Sequence, residues 1–180
     1  MLALIKVFID IALWRKGPQD LPASGLLLAV ATAAYLAVSL ALAGVRQVVL
    51  PDVQAEDQGR VLVRALIELA LVLAWMWLLL AMFQRPGRFR QSATALMGIG
   101  MVISPAVIGA NLILERVGAH SPVFWPVWFA FLASSVWYLL VVAHILRSAL
   151  ETRLFPAIVL TVLFVLCMLL IEIKLFGMPT

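Results

Sequence analysis

The sequence predicts an all-α polytopic transmembrane bundle of five helices, preceded by a short interfacial amphipathic helix. Five apolar runs predict it: residues 23–43, 61–83, 93–114, 123–146 and 155–176. Each is about 20 residues or longer, enough as a helix to cross a hydrocarbon core. Charged residues make up only 12% of the 180-residue chain and hydrophobic ones 65%, with a mean hydropathy of +1.12; a soluble domain carries about 25% charge. The gaps between the runs are too short for a soluble unit, so residues 1–180 read as a single membrane domain.

The chain opens on a separate element, residues 1–16. Its apolar stretch, residues 2–14, is about 13 residues, too few to span as a helix. Lys6 and Asp10 are spaced i,i+4 and share a helical face, where they can pair. The stretch reads as a helix lying in the membrane interface, with Trp14 at head-group level and Arg15-Lys16 toward lipid phosphate. Packing beneath the bundle as a core helix is a second, compatible reading. Gly17-Pro18 ends it, and Gln19-Asp20-Leu21-Pro22 turns into the first span. Lys6 and Asp10 interrupt the apolar run, and no cleavage motif follows Trp14-Arg15-Lys16, so no signal peptide is expected. Leu2 and Gly177-Met178-Pro179-Thr180 carry no lipidation signature.

Lipid gives apolar helices no hydrophobic reason to associate, so small residues that allow close backbone approach carry the packing information. In the first span Gly25, Ala29, Ala33, Ala37 and Ala41 recur every fourth residue on one slowly drifting face, which predicts the helix–helix seam. Alanine as filler in an Ala-rich span is the plainer alternative. The connection over residues 44–60 is the longest; Pro51-Asp52 suits a turn, and Asp52, Glu56 and Asp57 read as solvated surface.

The second span carries Glu68, with Arg64 one turn away on the same face. The third is the most irregular, with Gly98, Gly100, Pro105 and Gly109. Pro105 has no backbone N–H, so the carbonyl of Met101 loses its helical donor. Thr94, Gly98, Met101, Pro105 and Gly109 fall near one face, predicting a kinked helix inside the bundle, where neighbours satisfy that carbonyl. A packing kink is the simple reading; a hinge or a substrate-facing break is the sharper one. Pro126 and Pro156 sit in first turns, where proline is tolerated, so no second broken helix accompanies it. In the fourth span Trp125-Pro126-Val127-Trp128 reads as an aromatic belt. Cys167, in the fifth, is the single cysteine, which excludes an intrachain disulfide.

Eight of the thirteen basic residues fall on the side of the N-terminus: Lys6, Arg15, Lys16, Arg85, Arg88, Arg90, Arg147 and Arg153. The positive-inside rule therefore expects a cytoplasmic N-terminus and an external C-terminus. The net charge of +4 belongs to loops beside membrane, so anionic head groups, not nucleic acid, are its expected partner.

Charges at membrane depth are functional candidates. Arg64, Glu68, Asn111 and Glu172 all fall in the outer half, where they predict one intramembrane polar patch. The inner half offers only His144, Ser134 and Ser135, too little for a continuous ion path. No metal-ligand cluster, phosphate loop, nucleophile elbow or cofactor motif occurs, so neither catalysis nor a cofactor is expected.

The five closely spaced spans, small loops and cytoplasmic N-terminus, with Gly98 through Ser104-Pro105 in the middle span, resemble the Yip1-domain membrane proteins. The resemblance is one of architecture. Its eukaryotic members are linked to vesicle trafficking and small GTPases through a longer cytoplasmic segment; this chain has only about 20 residues before its first span, so that role does not carry over. The basic loops and the absence of the eukaryotic cytoplasmic segment lead us to expect a multi-pass protein of the bacterial inner membrane. The expected function is a non-catalytic accessory, scaffold or assembly subunit that binds lipid, another membrane protein or a second copy of itself. The alternative is a small transporter or channel using Glu68 and the kinked third span.

Overall fold

The computed structural model describes residues 2–50, 58–117 and 120–176. The expected surface acids Asp52, Glu56 and Asp57 lie outside them. Among the described residues six helices make up the fold: α1 (Leu2–Ala12), α2 (Gly25–Val49), α3 (Gln58–Met82), α4 (Phe89–Arg116), α5 (Phe124–Leu150) and α6 (Leu154–Phe176), with 3-10 turns at Pro18–Asp20 and Pro86–Arg88. No strand occurs among the described residues. The last five helices are long and apolar enough to cross a membrane. α2, α3, α5 and α6 expose many large apolar side chains, among them Leu26, Trp77, Phe129 and Leu170. A surface this apolar is incompatible with water on all sides; the chain is an integral, multi-pass membrane protein.

α4 is the hub. Every residue from Ser92 to Gly100 is buried, and α1, α2, α3 and α5 all pack against this helix. A helix enclosed on all sides needs small side chains, and Ala93, Thr94, Ala95, Gly98 and Gly100 supply them. The glycines receive rings. A Cβ at Gly98 would overlap the ring of Phe8 from α1, and one at Gly100 would stand 2.7 Å from Cε2 of Tyr35 in α2. Enclosure stops there: beyond Gly100 only Ile103 and Leu112 are buried, Pro105 is exposed, and a Cβ at Gly109 would meet nothing within 4 Å. The expected interior face through Pro105 and Gly109 is therefore corrected. The helix runs on continuously through Pro105, which is exposed.

The expected seam on α2 is also overturned as an internal contact. Gly25, Ala29, Ala33, Ala37 and Ala41 are all exposed. The inward face is instead Ala31 with Tyr35 and Leu36. The close approach between α2 and α4 sets Tyr35 against Gly100, while the small-residue series from Gly25 to Ala41 points outward. α2 begins on Ser24, whose Oγ accepts the N–H of Leu27. It continues through Val49, well past the expected end near residue 43. Leu50 leaves the helical region at φ −122°, ψ 69°, as the residue before a proline does.

α1 lies under the bundle. Phe8, Ile11 and Ala12 are buried against it, while Ile5, Ile9 and Leu13 are exposed on the other face. The expected Lys6–Asp10 pair does not form. The chain folds back after α1, with the N–H groups of Arg15 and Lys16 both on the carbonyl of Asp10, and this brings Lys16 to 3.6 Å from the Asp10 carboxylate.

Three helices at this end stop in the same way. Trp14 (φ 61°), Gln84 (φ 58°) and Glu151 (φ 52°) are left-handed, which costs a non-glycine residue about 1–2 kcal/mol. Each reversal closes a carbonyl that the helix end would otherwise orphan: Arg15 N–H to Asp10 O at 2.8 Å, Arg85 N–H to Leu80 O at 2.7 Å and Thr152 N–H to Arg147 O at 3.2 Å.

Candidate functional site

The polar side chains gather at the two ends of the bundle. At the end away from the N-terminus, Arg64 Nε donates to Glu68 at 3.0 Å along α3, and its Nη2 donates to Glu172 of α6 at 3.3 Å. A separate group joins α2 to α4: Arg46 Nη2 reaches the Glu115 carboxylate at 3.2 Å, Asn111 donates to Glu115 at 2.8 Å, and Arg116 donates to the Val49 carbonyl at 2.8 Å. The four residues expected to form one patch are thus divided. Arg64, Glu68 and Glu172 come together, while Asn111 belongs with Arg46 and Glu115. The sequence reading missed Arg46 because it placed residues 44–60 in a loop, whereas α2 continues through Val49; Gly44 and the β-branched Val45, Val48 and Val49 gave little local helix signal there.

At the N-terminal end the loops before α4 and after α5 are clamped. Arg85 Nη2 lies 2.5 Å from the Glu151 carboxylate, and Arg88 donates to the other oxygen of the same group. Arg88 Nη1 also donates to the carbonyls of Ser148 (3.1 Å) and Ala149 (3.3 Å), closing the last turn of α5. The hydrogen bond from Arg88, followed by the charges of both arginines, holds the Glu151 carboxyl below the ordinary glutamate range.

Three side chains tie the N-terminal segment to this end. Gln91 donates to the Leu21 carbonyl at 2.7 Å, Trp137 Nε1 donates to Ala12 at 3.1 Å, and His144 Nε2 lies 3.0 Å from the Lys16 carbonyl. A carbonyl only accepts, so the proton is on Nε2 of His144. Trp14 stacks on the same imidazole, centroids 5.0 Å apart and planes 16° from parallel. The tryptophan therefore covers a histidine of α5, in addition to its expected place at the interface.

Between the two ends the interior is apolar. The buried polar residues among those described are Ser92, Thr94 and Thr161. The two threonines are satisfied by their own helices, through the carbonyls of Arg90 and Ala157. A cavity of about 60 Å³ is lined from all five spans, by Tyr35, Trp75, Met97, Tyr138 and Phe164 among others. That volume is far below the 300–1,000 Å³ of a typical ligand pocket, and Trp75 stacks on Phe164 at 4.2 Å beside it. The charged groups serve as staples between helix ends. The sequence matches no family model, and no curated protein or solved structure shows significant similarity to it.

Proposed function

We propose that the chain is a non-catalytic subunit of a membrane assembly, and that α2 is the helix through which it packs against its partner, a second copy or another membrane protein. One observation carries this reading. Gly25, Ala29, Ala33, Ala37 and Ala41 form a regular small-residue face along α2, and that face points away from the core. In lipid, such a face gains from a second helix by close van der Waals approach and gains little from acyl chains. The rest of α2 fits this: it is the span least buried by its own bundle. The excess of basic residues on the N-terminal side supports a cytoplasmic N-terminus in a bacterial inner membrane, and the five-span layout supports the likeness to Yip1-domain proteins. Solubilising the protein gently and measuring the particle mass tests the proposal. A particle heavier than one chain plus its detergent, returning to monomer mass in Ala33→Leu/Ala37→Leu, is expected; a wild-type monomer with no co-purifying protein refutes it.

Arg64 shared between Glu68 and Glu172 favours a second reading, a small transporter that loads at its outer end. It requires proteoliposome flux that falls in Glu68→Gln and Pro105→Ala; absence of flux, or flux unchanged by both, excludes it.

A further inference from the structure

We propose that the loop joining α3 to α4 is a binding site for the phosphate of an anionic phospholipid, with Arg85 as its principal ligand. The segment Phe83–Arg88 curls around an open depression of about 370 Å³ at the N-terminal end of the bundle. Gln84, left-handed at φ 58°, starts the curl, and the 3-10 turn Pro86–Arg88 completes it. A Cβ at Gly87 would meet nothing within 4 Å, so the floor of the turn is open.

The charge there is strongly one-sided. The start of α4, the end of α5 and the loops beside them carry Arg85, Arg88, Arg90, Arg147 and Arg153, against the single acid Glu151. The two arginines that touch Glu151 differ in what they have left. Arg88 is committed, to Glu151 and to two backbone carbonyls. Among the described residues Arg85 meets only the Glu151 carboxylate, through Nη2. Its remaining N–H groups can donate singly to phosphate oxygens. Glu151 already shows that this pair of arginines binds a forked oxyanion.

The surroundings select a lipid over a free anion. Met82 and Phe83, immediately before the arginines, are 69% and 40% exposed. They extend the apolar surface of α3 up to the charged turn, so an acyl chain and its head group find matching surface in the order a lipid presents them. The site does not depend on what α2 packs against.

Native mass spectrometry of the full chain in detergent, titrated with phosphatidylglycerol, phosphatidylcholine or inorganic phosphate, tests the site. Phosphatidylglycerol is expected to be retained in preference to phosphatidylcholine. A basic residue at a membrane surface contributes about fivefold in affinity, so Arg85→Gln should lose about fivefold. Arg60→Gln at the opposite end should lose nothing. Glu151→Gln removes the internal competitor and should bind about fivefold more tightly; this gain keeps the test decisive if Arg85→Gln folds poorly. Equal retention of the two lipids, unchanged binding in Arg85→Gln together with no gain in Glu151→Gln, or displacement of the lipid by millimolar phosphate would each overturn the proposal.

Discussion

Tyr35 of α2 lies against Gly100 of α4 so closely that a Cβ at position 100 would stand 2.7 Å from its ring. Phe8 and Gly98 repeat the arrangement two residues earlier, on roughly the opposite side of α4. Ring-into-glycine contacts therefore bring α1 and α2 onto the central helix. Gly100→Ala and Gly98→Ala each gain about 0.8–1 kcal/mol of helix propensity, but overpacking a filled site costs about 1–3 kcal/mol. The overpacking wins, with a net loss of about 1 kcal/mol expected in a denaturant titration of the detergent-solubilised protein. Phe8→Leu added to Gly98→Ala should recover part of that loss, because the shorter side chain leaves room for the methyl group.

Gln84 and Glu151 share a left-handed backbone but not a role. Glycine at position 84 relieves a strain of about 1 kcal/mol, so Gln84→Gly should raise stability. Glu151→Gly relieves the same strain and releases Arg85 and Arg88. It should lower the unfolding midpoint, and hydrogen exchange at Ser148–Arg153 should become faster.

The Glu151 carboxyl is held below its ordinary value of 4.5 by the Arg88 hydrogen bond and the two guanidinium charges. Its contribution is therefore complete above about pH 4.5 and disappears as the pH falls through the lowered value, when the carboxylate takes up a proton. Between pH 5 and pH 3 the midpoint of wild type should decline more steeply than that of Glu151→Gln, which has no such group to protonate. Parallel curves would contradict the clamp.

Arg64 is the cation shared by Glu68 and Glu172, and all three side chains are about one-third exposed. Glu172→Gln removes one partly screened pair and should cost less than about 1 kcal/mol. Arg64→Gln leaves two carboxylates without that cation near the membrane and should cost about 2 kcal/mol, a value discounted from the buried case for partial exposure. Denaturant titration of the two variants should preserve that order.

Much of this was legible in the sequence, and the gaps have physical causes. Hydropathy located every span, because length and apolarity alone decide what crosses a bilayer. The third span was expected inside the bundle from Gly98, Gly100, Pro105 and Gly109; the first two lie in its buried part, while Pro105 is exposed. The facing of α2 was not legible: a four-residue repeat of small side chains states that one face allows close approach, not whether the partner is internal. α4 had already supplied the glycines, so Tyr35 turned inward and the alanines outward. The polar patch was legible by depth but not by azimuth, which is why Asn111 was grouped with Glu68 and proved to pair with Glu115. The Trp14–His144 stack and the Lys16–Asp10 pair both depend on a left-handed tryptophan. Tryptophan gives no local signal for that conformation, since glycine or asparagine is the usual occupant.

The central claim is that the outward small-residue face of α2 is occupied in the membrane. Photo-cross-linking in native membranes tests it most directly, with a photoreactive side chain at Ala33 or Ala37 and, as the comparison, at Leu166, which is exposed on α6. The account predicts a discrete protein adduct from positions 33 and 37 and none from 166. Lipid adducts alone at 33 and 37, or the same protein adduct from all three positions, would contradict it.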